Sequence, residues 1–345
     1  MVTLSQAPGR TTLIDGKEHL FFSGYSYLGL GMNKNFTDLV KKGIDLYGVV
    51  YPSSRISNTA LDLYAKMEEQ LAAFTSAEDA AVFSSGFLSA RTAVDVVSKE
   101  MNVYCLPYTH PSSSALPGII KIPESLTWQQ FLDERASAGE FQFAIAADSI
   151  HPTPGHINDF SFLASTPTSF NITLVVDDSH GIGWLGKDGK GVASLINLPP
   201  HFELLLNFSL SKAFHLNGGA ITGSRKWINA VRQHVNFATS TPLMPSLAYA
   251  WVESSALYQQ QREILLQNIE YLQKLTTTFT FVAGEGTPVF VVAKKGIAPY
   301  LLQNNVIISS FSYPHPESDP VNRVVVNALH LRSDLEKLAQ LIEQY

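Results

Sequence analysis

The chain has 345 residues, 45% of them hydrophobic and 16% charged, with a formal net charge of −6 at pH 7. That balance lies far from the polar, highly charged composition of disordered chains, and an acidic sum offers no electrostatic footprint for nucleic acid or an anionic membrane. A single cysteine, Cys105, excludes an intramolecular disulfide, and no stretch of about 18 consecutive apolar residues suggests a membrane span.

The N-terminal MVTLSQAPGRTTLIDG lacks a basic start followed by an apolar run, so no secretory signal and a cytoplasmic location are expected. Cys105 in VYCLP reads as a buried structural thiol in a reducing compartment. The sequons at Asn35, Asn171 and Asn207 read as chance matches. Residues 1–45 are polar and turn-rich and are expected to pack with a small C-terminal domain. Residues 59–75 place Leu61, Tyr64, Met67, Leu71 and Phe74 at helical spacing. Apolar runs follow at 80–83, 102–107, 143–147, 172–176, 204–208 and 219–223, with a helical pattern at 126–138. These runs lack polar alternation, which predicts strands buried on both faces of a largely parallel sheet. Residues 46–245 therefore read as a large α/β domain. Beyond 245 come a helical stretch (246–276), strand-like runs at 281–293, 305–311 and 323–330, and a last helix at 332–345. That order predicts a smaller α+β domain over 246–345.

The chemistry concentrates in LVVDDSHGIGWLGKDGKGV (174–192) and NFSLSKAFHLNGGAITG (207–223). In the first, a buried strand ends in Asp177 and Asp178, with His180 just beyond. Ligands in such folds bind at the carboxyl ends of the strands. A partly buried carboxylate needs a cationic partner, and a protonated pyridine nitrogen would be one. In the second, Lys212 follows a strand among small hydroxyl residues. Burial disfavours an ammonium and leaves a nucleophilic amine suited to imine chemistry. Ser209 and Ser211 are placed to donate to a phosphate. Gly181-x-Gly183-x-x-Gly186 formally fits a dinucleotide fingerprint, but KDGKG follows it rather than a helix. Ser84-Ser85-Gly86 lacks the leading glycine of a nucleophile elbow.

Together these segments resemble the α-oxoamine synthases, a fold-type-I pyridoxal-phosphate (PLP) family. DDSHGIGWLGKDGKG resembles its Asp-Glu-Ala-His-Ser segment and the glycine run after it, and SLSKAFHLNGGAITG its lysine motif. SYLGL (26–30), SSRISNTALDLYAKMEEQLAAF (53–74), AAVFSSGFLSA (80–90), HPS (110–112) and RVVVNALH (323–330) resemble further family segments and extend the likeness over most of the chain. The resemblance implies a mainly parallel seven-stranded sheet between helices, PLP as cofactor, and a homodimer with a shared site. The substrates it implies are an amino acid and an acyl-CoA thioester. It implies Lys212 as the imine lysine and proton shuttle, and Asp177 as the partner of the pyridinium nitrogen. His180 would bond the ring's phenolic oxygen and His110 would stack on its face. Ser85, Gly86, Phe87 and Ser209 would hold the phosphate, joined by Ser240 and Thr241 from the neighbouring subunit. Arg323 would pair with the substrate carboxylate.

Plainer readings stand beside these. His110 and His180 also read as structural histidines, Ser85-Gly86 as a helix N-cap, and Arg323 as a surface ion-pair residue. The chain departs from the family at Tyr25, where an asparagine is usual, at Thr59 and Tyr64, and over Asp148–Gly155. Tyr25 is thereby a candidate substrate contact. Because these departures face the substrate, a PLP aminotransferase, an aldolase-type lyase and a non-catalytic PLP-fold module stay open as alternatives.

Overall fold

The computed structural model describes residues 2–151, 155–276, 281–283, 286–312 and 317–345, with backbone alone at 281–283. Pro152, Thr153 and Pro154 of the 148–155 segment, and Gly284 and Glu285 of the 281–293 run, lie outside the described residues.

The elements, in chain order, are β1 (Thr11–Ile14), β2 (Lys17–Phe22), α1 (Lys34–Tyr47), α2 (Asp62–Thr75), β3 (Asp79–Phe83), α3 (Gly86–Ser98), β4 (Val103–Cys105), α4 (Pro111–Ser114), β5 (Ile120–Lys121), α5 (Trp128–Ser137), β6 (Gln142–Asp148) and β7 (Asn171–Asp177). They continue as β8 (Phe202–Ser209), β9 (Gly219–Gly223), α6 (Arg225–Gln233), α7 (Val235–Thr239), α8 (Pro245–Glu253), α9 (Ser255–Leu275), β10 (Phe281–Ala283), β11 (Val289–Val292), α10 (Ile297–Gln303), β12 (Val306–Ser312), β13 (Pro320–Val325) and α11 (Arg332–Gln344).

Seven strands form one sheet in the order β3-β9-β8-β7-β6-β4-β5. Only β9 runs against its neighbours. All six apolar runs of the sequence lie in this sheet, because their lack of alternation matches a sheet covered on both sides. Ala81, Phe83, Val103, Cys105, Ala144, Ala146, Val175, Leu205 and Ile221 face one layer with α3 and α6. Ile145, Leu174, Val176, Leu206 and Phe208 face the other. Cys105 is buried there, and burial pushes its thiol pKa up, which makes it a poor nucleophile.

The second sheet has the order β1-β2-β12-β13-β11-β10. Residues 11–22 therefore lie in the same sheet as the C-terminal strands, with β2 parallel to β12. The β1–β2 turn is Asp15-Gly16, both with positive φ, which suits a two-residue hairpin loop. The helical stretch expected at 246–276 is broken at Ser254, where φ/ψ is −109/10. The break lets Trp251 of α8 and Tyr258 of α9 both pack on Phe214, with ring centroids at 4.6 and 5.1 Å.

Candidate active site

The carboxyl ends of β6, β7 and β8 come together at one edge of the large sheet. Asp148 and Asp177 stand abreast in the β6–β7 register, and Asp177 pairs with Asn207 of β8. Beyond β8 the chain turns through Ser209 and Ser211 to Lys212. The Ser209 N–H donates to Ser179 Oγ at 2.8 Å, and the Ser209 and Ser211 hydroxyls bond each other at 2.7 Å. These bonds fix the Lys212 loop against the loop that follows β7.

A cavity of about 210 Å³ opens here, lined by Tyr25, Gly86, Phe87, His110, Asp148, Asp177, Ser179, His180, Ser209 and Lys212, among others. Of the twelve site residues expected from sequence, eight line it: Tyr25, Gly86, Phe87, His110, Asp177, His180, Ser209 and Lys212. Burial is the main cause that pushes the Lys212 pKa down, opposed by Asp177 and Asp148, so the neutral amine is favoured. Asp177 Oδ1 accepts from Ser179 N at 2.9 Å. His110 caps α4: its Nδ1 accepts from Ser112 N at 3.2 Å and bonds Ser112 Oγ at 2.7 Å. Burial lowers the pKa of both His110 and His180, so each ring stays neutral.

Four expected residues lie off the cavity in this chain. Ser85 is the N-cap of α3 and accepts from Leu88 N at 3.2 Å, as the plainer reading had it. Gly86 needs its missing side chain, because a Cβ there would sit 2.5 Å from Ser209 Cβ. The close approach it permits is therefore of helix to strand end, and it aims the start of α3 at the cavity. Arg323, on β13, lies over the Phe311 ring at 4.9 Å and acts electrostatically on Lys212, His180 and Tyr27. It is partly buried, and burial lowers its pKa. Ser240 and Thr241 follow α7, and the Ser240 hydroxyl is bonded to Asn236 O.

The sequence reading missed Asp148 and Tyr27 as site residues. Asp148 is buried and both its oxygens accept from His110 N, at 3.2 and 3.3 Å. Burial and the neighbouring Asp177 raise its pKa well above the ordinary carboxylate range, against the His110 N–H and Lys212. The signal was present, since FAIAAD ends in a carboxylate just as LVVD does. Tyr27 bonds His180 Nδ1 at 2.8 Å.

The second aspartate of the pair does different work. Asp178 is fully buried and accepts from Val192 N at 2.9 Å, with its pKa raised by burial to about 7. The glycine run curls round this carboxyl group. A Cβ on Gly181 would collide with Asp178 Oδ1, and one on Gly191 with Oδ2. Gly181 and Gly191 are thus explained by packing on Asp178, Gly183 by its approach to Ala213 and Phe214, and Gly186 by its approach to Ser194, rather than by a dinucleotide. Gly191 also has φ +71. Gly191→Ala is expected to cost at least about 3 kcal/mol, read as a lowered midpoint of denaturant unfolding. An unchanged midpoint would contradict this packing.

The residues on the cavity match the chemistry of PLP. Lys212 would offer an amine to its aldehyde, Asp177 a carboxylate to its ring nitrogen, and the start of α3 backbone amides to its phosphate. The parallel sheet and this cavity at its carboxyl edge define a fold-type-I PLP transferase. The family model for aminotransferase class I and II matches residues 22–342, and the chain belongs to that family of PLP enzymes. It is 24% identical over 361 residues to an 8-amino-7-oxononanoate synthase of Thermosipho melanesiensis, covering 99% of this chain and 92% of that protein. Its fold is similar to a serine palmitoyltransferase from Sphingomonas wittichii, with TM-score 0.87, 17% identity, and 99% and 91% of the two chains covered. It is similar also to an 8-amino-7-oxononanoate synthase from Francisella tularensis, with TM-score 0.73, 22% identity, and 94% and 97% covered.

Proposed function

We propose that this chain is an α-oxoamine synthase, joining a small amino acid to an acyl-CoA thioester with loss of carbon dioxide to give an α-amino ketone. The observation that carries the reading is the Lys212 amine facing one cavity with the Asp177 carboxylate. The 8-amino-7-oxononanoate synthases among its relatives support the choice of reaction. PLP, when bound, supplies an electron sink for the carbanion at the amino acid's α-carbon.

The chain's own residues bind, orient and move protons. Lys212 would hold the cofactor, and its amine, with a pKa lowered by burial, would take the α-proton of the substrate. Asp177 would hold the pyridine nitrogen protonated, with His110 beside the ring and His180 a donor to its phenolic oxygen. The amides of Gly86 and Phe87, aimed by the Ser85 cap, hold the phosphate together with Ser209. Arg323 pairs with the substrate carboxylate as a planar fork, and Tyr25 borders the substrate side of the cavity.

A homodimer completes the site in this reading, with Ser240 and Thr241 reaching the phosphate of the neighbouring subunit. Leu46, Val49, Val50, Ile56 and Phe87 each expose an apolar side chain that a second copy would cover. Among the described residues no helix is long and apolar enough to cross a membrane. A reducing, cytoplasmic setting accords with the lone buried thiol.

The test is incubation of PLP-loaded protein with small amino acids, with and without a panel of acyl-CoAs. Ketone formation that requires the thioester is the expected result. Amino-group transfer or aldol cleavage without thioester would instead place the chain among aminotransferases or lyases. Cofactor bound without any turnover would make it a non-catalytic module.

A further inference from the structure

The Tyr27–His180 contact lies outside the roles assigned above. Tyr27 follows β2 on the N-terminal segment, is 1% exposed, and is tied down by the bond from Ala328 N to its carbonyl at 2.9 Å. Its hydroxyl meets His180 Nδ1 at 2.8 Å, while Trp184 Nε1 donates to His180 O at 2.6 Å and fixes the residue from the other side. His180 itself lines the cavity and Tyr27 does not. Nε2 is therefore the ring nitrogen left for the cavity.

We propose that Tyr27 is a positioning residue whose hydroxyl donates to Nδ1 and locks His180 as the Nε2–H tautomer, so that the nitrogen left to the cavity is a fixed donor. Three observations fix the direction of the bond. If Nδ1 carried the proton, the buried tyrosine O–H would have no acceptor among the described residues. Burial raises the phenol pKa, so the O–H stays intact, although Arg323 opposes the shift. Burial, Lys212, Arg323 and His110 all act against a second proton on His180, so the ring has one N–H to place.

The consequence for catalysis rests on the cofactor reading, while the tautomer does not. A fixed Nε2–H can only donate, so the cavity favours an anionic oxygen at that point and excludes a donor there.

The test uses cofactor-free protein labelled with ¹⁵N-histidine, in which two-bond ¹H–¹⁵N correlations report which ring nitrogen is protonated. The wild type is expected to show His180 with bare Nδ1 and protonated Nε2, and Tyr27→Phe is expected to lose that fixed pattern. A wild-type Nδ1–H overturns the proposal even where the variant fails to fold. A wild-type pattern that survives in a folded Tyr27→Phe removes Tyr27 as its cause. In PLP-loaded protein the pH at which the visible band changes should rise by about one unit in Tyr27→Phe, as expected for a weakened charge-assisted hydrogen bond. An unmoved band beside an altered tautomer would overturn the link to the cofactor. A wild type without any visible band would refute the cofactor reading and leave the tautomer to the correlation spectra.

Discussion

Lys212→Ala is expected to lower kcat/KM by more than about 10⁴-fold and to remove the visible band of the PLP-loaded protein, because one amine both tethers the cofactor and moves the α-proton. Burial is the main cause that lowers the pKa of the amine, against the pull of Asp177 and Asp148. Its loop is anchored by Ser209 and Ser211 rather than by the lysine itself, so the variant should fold and still take up cofactor by its phosphate and ring nitrogen. Lys212→Arg should fail nearly as badly, since a guanidinium stays charged and forms no imine. Absorbance spectra of purified wild type and both variants, with steady-state rates, decide the matter. A Lys212→Ala spectrum matching the wild type would remove this residue from the chemistry.

The large sheet was legible because both its faces are covered. Val103–Cys105, Gln142–Asp148 and Asn171–Asp177 carry apolar runs without alternation, as do β3, β8 and β9. The cavity residues were legible where a motif sits at a strand end, as at Asp177 and Lys212. The hairpin of residues 11–22 was missed although Asp15-Gly16 is a strong turn signal, because its strands carry exposed polar residues and look like loop. Helix α1 was missed too, yet Asn33 caps it by accepting from Asn35 N and Phe36 N. Asp148 and Asp177 meet only through strand register, and Tyr27 reaches His180 across 153 residues. Such contacts are set by tertiary packing, and local spacing carries no trace of them.

That register makes the two carboxyl groups unequal, and their substitution should show it. Asp148 is the more buried of the two on the cavity and accepts from His110 N, and burial beside Asp177 raises its pKa. Asp177 opens on the cavity and faces the Lys212 amine. Of two adjacent carboxyl groups the more deeply buried one resists ionisation, so Asp148 favours its protonated form. Asp177→Asn keeps the shape and can keep the bond from Ser179 N, but it cannot hold the ring nitrogen protonated. A fall in kcat of about 10³-fold is expected, comparable with the loss of one preorganised electrostatic contact. Asp148→Asn replaces a neutral group by another neutral group that can still accept from His110 N, and should lose no more than about tenfold. Asp177→Glu should fall between the two, since it restores the charge but moves it by one methylene. Rates for the three variants, with cofactor content measured on each, test the asymmetry. Equal losses in Asp148→Asn and Asp177→Asn would mean that the charge is shared, and that position 177 holds no special relation to the ring.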